Sequence, residues 1–203
     1  MEFFTSLLVL LVIFLTFNVF RYKNLSEKDL DTGCYNSHWF KSSLVKRMKK
    51  SQKNNRNFGL LFIDIDDFKY INDSQGHDMG DLALVELVKT LKAAVRRKKF
   101  TIRHIRLYTD YVVRCGGDEF IFVVDNVHKE ELQLIGVRVL KAIRAIKLFN
   151  NRENKCFGIT ASIGGTIFTP FEDDVNVTSI TARADRAMYN VKNSHKNSVH
   201  IIG

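Results

Sequence analysis

Proline occurs once in 203 residues, at Pro170, and no internal repeat or low-complexity stretch is found. Arrays of short repeats and compositionally biased linkers are therefore excluded. Cysteine occurs three times, at Cys34, Cys115 and Cys156. That odd number at wide spacing fits neither a zinc pattern nor a disulfide framework, and points to a reducing cytosol. No Gly-x-x-x-x-Gly-Lys-Ser/Thr loop occurs, so a Walker-type phosphate loop is ruled out. There is no heptad stalk to enforce pairing of copies. The chain begins Met1-Glu2 without a basic start, and no Ala-x-Ala site follows, which speaks against a cleaved signal peptide.

What is present is the composition of a folded protein: 45% hydrophobic and 26% charged residues exclude wholesale disorder. The length allows one ordinary domain with an appendage. The net charge of +9 suits nucleic acid, an anionic membrane surface or a polyphosphate substrate, and charge alone does not choose among them. No nucleic-acid-binding motif accompanies it, so no nucleic-acid partner is expected. Phe3 to Phe20 is apolar except for Thr5, Ser6, Thr16 and Asn18, and as a helix it covers ~27 Å, near the lower limit for a membrane span. Arg21, Lys23 and Lys28 follow directly. Under the positive-inside rule the expectation is an uncleaved single-pass anchor, with the rest in the cytoplasm. The expected organisation is residues 1–22 as a transmembrane anchor, 23–35 as linker and domain entry, and 36–203 as one domain. No sensory domain fits between anchor and domain, so input is expected through the membrane segment, a sensory or effector partner, or abundance.

Along the chain, Phe40, Leu44 and Met48 repeat at helical spacing behind a plausible N-cap, Asn36. The polar run Lys49 to Asn57 reads as a solvated loop. Phe58 to Ile65 reads as a buried central strand. A helical stripe follows through Leu84, Leu87/Val88, Leu91 and Ala94/Val95, then a second through Leu132, Ile135, Val139, Ile143 and Ile146. A strand is expected around Phe157 to Ile163, ending at Gly164-Gly165. A helix with Ile180, Ala184, Met188 and Val191 and a short strand Val199 to Ile202 complete an α/β sheet sandwich.

Two stretches carry chemistry. Arg114-Cys115-Gly116-Gly117-Asp118-Glu119-Phe120 lies between the β-type runs Tyr111–Val113 and Ile121–Val124, and reads as a hairpin with the glycines at its tip. Glycines allow a tight turn and close approach of a ligand. The adjacent carboxylates suit a divalent metal and proton abstraction. Upstream lies a second acidic cluster, Asp64-Ile65-Asp66-Asp67-Phe68-Lys69-Tyr70-Ile71-Asn72-Asp73 and Gly76-His77-Asp78-Met79-Gly80-Asp81. Asp64 and Asp118 can face each other if their strands are neighbours.

Together these stretches resemble the GGDEF domain of diguanylate cyclases, in family order, from about Asp29 to Val199. The resemblance implies a palm-like, ferredoxin-related fold with a central, mostly antiparallel sheet flanked by helices, here expected to carry one N-terminal transmembrane helix in a bacterial inner membrane. It implies condensation of two GTP into cyclic di-GMP with release of two pyrophosphates, each domain of a homodimer supplying one half-site. Two Mg²⁺ (or Mn²⁺) ions per site are implied, held by Asp64, the Ile65 carbonyl, Asp118 and Glu119. Asp118 is the family's candidate base for the ribose 3′-hydroxyl, and Lys69 its mobile phosphate-neutralising charge. Phe68 and Lys69 open the helix whose N-terminus favours phosphate. Lys192 and, more weakly, Lys196 correspond to phosphate ligands. Asn72, His77 and Asp81 correspond to the guanosine contacts, and Gly116 and Gly117 to the turn that substrate approaches.

This chain departs from the pattern in places. The usual entry Asp-x-Leu-Thr-Gly-Leu-x-Asn-Arg carries Asp31, Cys34 and Ser37 at altered positions. In the closing segment Lys196 replaces an arginine and His195 a glycine. The product-inhibition pattern Arg-x-x-Asp becomes Leu107-Tyr108-Thr109-Asp110, which predicts weak product inhibition. The run Arg96 to Tyr108 is longer than the family usually has; it reads as a solvated basic insertion or as a patch attracted to anionic lipid, where each basic residue adds ~1 kcal/mol. The altered entry and closing segments also permit a second reading, a catalytically weak or inactive GTP-binding regulator acting through a partner.

Overall fold

The computed structural model describes residues 2–94, 110–171 and 176–203. The basic run 96–108, Val95 and the positions Leu107, Tyr108 and Thr109 lie outside the described residues. The elements are α1 (Glu2–Glu27), β1 (Tyr35–Asn36), α2 (Ser37–Asn54), β2 (Phe58–Ile65), α3 (Phe68–Gln75) and α4 (His77–Ala94). They continue with β3 (Tyr111–Gly116), β4 (Glu119–Asp125), α5 (Lys129–Arg144), β5 (Lys147–Asn150), β6 (Lys155–Gly158), β7 (Ala161–Phe168), α6 (Val177–Ser194) and β8 (Val199–Ile202).

Six strands form one mixed sheet in the order β1-β3-β4-β2-β7-β8, and β5 and β6 form a separate hairpin. The four inner strands pair antiparallel; β1 on β3 and β8 on β7 pair parallel. This is the palm-like architecture, its inner strands antiparallel as expected. β2 lies between β4 and β7 and is buried along its whole length. Its side chains alternate between two cores, as the strand pleat requires. Leu61, Ile63 and Ile65 join Leu84 and Leu87 of α4 and Val139 of α5. Leu60 and Phe62 join Phe40 and Leu44 of α2 and Ala184 and Met188 of α6. Asp64 continues the second alternation, so the pleat aims it at α6, at the end of the central strand.

The expected membrane anchor is overturned: among the described residues no helix is long and apolar enough to cross a membrane. The apolar run 3–20 reaches only ~27 Å against a hydrocarbon core of about 30 Å, and polar residues interrupt it. Two of these turn back on the helix itself, Thr16 Oγ1 donating to the Ile13 carbonyl at 2.9 Å and Asn18 Nδ2 to the Phe14 carbonyl at 2.8 Å. The placement at a bacterial inner membrane and the membrane as a partner fall with it.

Three local expectations also change. α2 continues to Asn54 instead of yielding to a loop at Lys49, because Ser51 is buried and its Oγ donates to the Arg56 carbonyl, closing the helix end. α5 stops at Arg144, before Ile146. The strand expected around Phe157 to Ile163 is divided: Phe157 belongs to β6, which ends at Gly158, and β7 begins at Ala161 and runs through Gly164 and Gly165 to Phe168. A Cβ on Gly164 would stand 1.8 Å from Met188 N. The glycine is a site of close helix-on-strand approach, which lets the α6 backbone lie directly against β7.

Candidate active site

The site forms where β2 and β4 end together. Asp64 and Glu119 are directly opposed partners across the antiparallel pair, and the turn joining β3 to β4 holds Asp118, whose carbonyl accepts from Ile65 N at 3.4 Å. Gly117 has φ +47, a left-handed conformation that glycine adopts without strain. Arg114 braces this turn: Nε donates to the Gly117 carbonyl at 2.9 Å, and Nη1 to Asp29 Oδ1 at 3.1 Å and Asp31 Oδ2 at 2.9 Å. The turn is thereby tied to the segment by which the chain enters the sheet.

Asp64 is 3% exposed. Lys192 of α6 brings its ammonium to 2.7 Å from both carboxylate oxygens, donating to Oδ2 and pairing with Oδ1. Burial pushes the Asp64 carboxyl above the ordinary carboxylate range; Asp118 and Asp66 push the same way and Lys192 opposes them. Glu119 is also raised, by burial first and then by the charges of Asp64, Asp185 and Asp118. For Lys192 burial works against the charged form, but the hydrogen bond and charge of Asp64, with Asp118 and Asp66, outweigh it and raise the ammonium. Acids held above their usual range and crowded together form a place that favours a cation.

Among the described residues no group of three or more His, Cys, Asp or Glu side chains is gathered closely enough to hold a metal ion by itself. Magnesium, however, is commonly bound by one or two carboxylates, with phosphate and water completing its shell. The buried Asp64 carboxylate, directly opposite Glu119 across the strand pair and facing one ammonium, fits that donor set.

Asp66 does a different job from its neighbours. It is 5% exposed and accepts from Thr160 Oγ1 at 2.7 Å, Ser162 Oγ at 2.6 Å and Asn197 N at 3.0 Å. It locks the start of β7 and the turn after α6 under the site. Asp67 takes the left-handed conformation, φ 55, and opens α3, so Phe68 and Lys69 lie in its first turn. Lys196 Nζ sits 2.6 Å from Asp67 Oδ1, at the same corner as Lys192. Lys69 is exposed and Phe68 packs against the core. Further along, Asn72 Oδ1 occupies the space a Cβ on Gly80 would need, 1.8 Å away. α3 and α4 therefore meet closely, with Asp81 next in the chain and His77 exposed at the start of α4.

A family model described as "Diguanylate cyclase, GGDEF domain" matches residues 26–198. The chain belongs to the GGDEF family. Diguanylate cyclase DgcS of Shewanella oneidensis is 27% identical over 184 residues, 89% of this chain and 55% of that protein. Diguanylate cyclase A of Treponema denticola is 29% identical over 178 residues, 86% of this chain and 44% of that protein. The chain thus spans about half the length of these curated relatives. The coiled coil and GGDEF domain of DgcB from Caulobacter crescentus, solved in complex with c-di-GMP, shares the fold at TM-score 0.83 and 20% identity, over 96% of this chain and 95% of that one. Diguanylate cyclase SiaD from Pseudomonas aeruginosa, solved with its activator SiaC, aligns at TM-score 0.78 and 23% identity, over 99% of this chain and 71% of that one.

Within this GGDEF domain, Asp64, Ile65, Asp118, Glu119 and Lys192 come together at one end of the sheet. Asn72, His77 and Asp81 gather at the α3–α4 corner. Of the Arg-x-x-Asp counterpart only Asp110 is described, and its Oδ1 accepts from Asp125 N at 2.8 Å. Roles for Asp66, Thr160, Ser162 and the Asp29–Arg114–Asp31 clasp are not apparent in the sequence. A serine or threonine in a strand carries no mark of what it meets across the sheet. Cys115 sits in the bulge of β3, its thiol pushed up to about 12 by burial first and then by Glu119, Cys34 and Asp185, so it is a poor nucleophile at neutral pH.

Proposed function

We propose that this GGDEF domain is a diguanylate cyclase that condenses two GTP into cyclic di-GMP with release of two pyrophosphates. The observation that carries the reading is the opposition of Asp64 and Glu119 across neighbouring strands, beside the turn bearing Asp118 and beneath Lys192. Asp64, the Ile65 carbonyl, Asp118 and Glu119 would hold divalent metal, Mg²⁺ or Mn²⁺, two ions per site. When bound, such metal neutralises the α-phosphate and the departing pyrophosphate.

The chain's own groups do the rest. Asp118 accepts the proton of the ribose 3′-hydroxyl; the freed oxygen forms the bond to the α-phosphorus as the bond to the pyrophosphate oxygen breaks. Lys69, Lys192 and Lys196, with the first amides of α3 at Phe68, neutralise the phosphates. Asp81 accepts from guanine N1–H and N2–H₂, with Asn72 on the base and His77 beside it. Adenine would leave that carboxylate unpaired, which is the stronger form of discrimination. Gly116 and Gly117 let the nucleotide approach the turn. Each domain offers one nucleotide site, so the reaction takes a homodimer, and a sensory or effector partner would act by controlling that encounter.

The test is cyclic di-GMP formation from GTP and Mg²⁺ by the full chain. The expected outcome is product from the wild type and a loss of roughly 10²-fold or more in Asp118→Ala. A folded wild type that makes no product under conditions where it binds GTP removes the reading.

A further inference from the structure

We infer that the β5–β6 hairpin is a specificity element for the guanine corner, with Asn150 as its positioning residue; this rests on the cyclase reading above. The turn 151–154 is polar and resembles any solvated loop in the sequence. In the fold it is fastened to the junction between α3 and α4. Asn150, the last residue of β5, is 3% exposed. Its Nδ2 donates to Gln75 Oε1 at 3.1 Å and toward the Gln75 carbonyl at 3.4 Å, and its Oδ1 accepts from Arg152 N at 3.0 Å.

Gln75 is the last residue of α3, where helix carbonyls lack partners within the helix. A buried amide that meets such a carbonyl is costly to lose, because the group left behind has no water to turn to. On the far side of the junction Arg152 Nη2 donates to Asp78 Oδ2 at 2.9 Å, and Gln75 Nε2 donates to Glu153 Oε2 at 3.4 Å. The hairpin is thus fastened to the end of α3 through the buried Asn150 and reaches the first turn of α4 through an exposed ion pair, bridging Gly76 with its φ of +90.

The consequence is geometric. Asn72 lies one turn before Gln75 and Asp81 one turn after His77, so the angle between the two helices sets the spacing of the groups assigned to the base. Gly80 lies between them, and the space a Cβ would take there is filled by Asn72 Oδ1. Loosening the corner separates Asn72 from Asp81 without touching Asp64, Glu119 or Lys192. The hairpin therefore acts on which nucleotide binds, and leaves the bond-making end alone.

The experiment compares the full-chain wild type with Asn150→Asp, which keeps the acceptor and loses the donor, and with Gln75→Ala, a milder change should the first fail to fold. For each, kcat and KM are measured with GTP and with inosine triphosphate, which lacks the 2-amino donor. Expected is a rise of about three- to tenfold in KM for GTP, kcat within about twofold, and a smaller rise for inosine triphosphate, so that the preference between the two shrinks toward one. A hairpin that only supports the fold would lower kcat for both nucleotides and leave the preference unchanged. An unchanged preference in variants of an active wild type overturns this inference alone. A wild type without product or guanine preference overturns the cyclase reading, and this inference with it.

Discussion

Asp64 and Glu119 are acids in a place that resists their charge. Each holds its proton more tightly in the folded chain than in the unfolded one, so the unfolded state binds fewer protons between the ordinary and the raised value. Stability is therefore lost as pH rises through that window. Glu119→Gln removes one such charge. In the presence of chelator it is expected to raise the melting temperature at neutral pH, with the gain vanishing below about pH 4, where ordinary carboxylates are themselves protonated. Melting curves at the two pH values check this; an equal gain at both would show that charge is not the cause. Divalent cation has the opposite preference, since it displaces these protons. Mg²⁺ is expected to raise the wild-type melting temperature more at higher pH, and to have little effect on Asp64→Asn.

α6 brings Lys192 to Asp64 only because Gly164 lets the helix backbone rest on β7. A methyl group there would lie 1.8 Å from Met188 N and 2.4 Å from Met188 Cα. Backbone atoms of a packed helix cannot step aside as a side-chain tip can, so Gly164→Ala is expected to cost about 1–3 kcal/mol. Because it displaces the helix carrying Lys192, melting temperature and activity are expected to fall together. Gly116→Ala is the counterpart. Nothing stands within 4 Å of the added carbon, so stability is expected to change by no more than ~0.5 kcal/mol. Any loss of activity in that variant then measures how closely substrate approaches the turn. Unfolding and activity measured side by side separate the two cases.

α1 exposes Val9, Phe14 and Phe17 among other apolar side chains, and among the described residues both buried cores begin only after it. Deleting residues 2–25 is therefore expected to leave the melting temperature of the domain nearly unchanged. The join itself is firm. Asn36 donates from Nδ2 to the Ser26 carbonyl at 2.8 Å while its Oδ1 caps α2 at Trp39 N, 2.9 Å away. Beside it Arg114 runs from Asp29 and Asp31 to the Gly117 carbonyl, a continuous polar link from the domain entry to the turn that bears Asp118. On the proposed arrangement of one nucleotide site per domain, specific activity is expected to fall on dilution; a rate per domain independent of concentration would mean pairing stays complete throughout the range.

The sequence by itself determined what short-range chemistry can encode: β2 from its apolar run, the hairpin from its glycines, the Asn36 cap, and the two acidic motifs by which the family is legible. It misjudged α1, whose apolar run lies at the lower length limit for a span and is broken by Thr5, Ser6, Thr16 and Asn18, so that among the described residues no helix is long and apolar enough to cross. Only the tertiary structure decided that β2 and β4 are neighbours in a register opposing Asp64 to Glu119, that Gly164 is a packing site instead of a strand end, and that Asn150 reaches Gln75. Those are contacts between residues far apart along the chain. They follow from which backbones pair and which helices fit against them, and no local pattern of residue types specifies that choice.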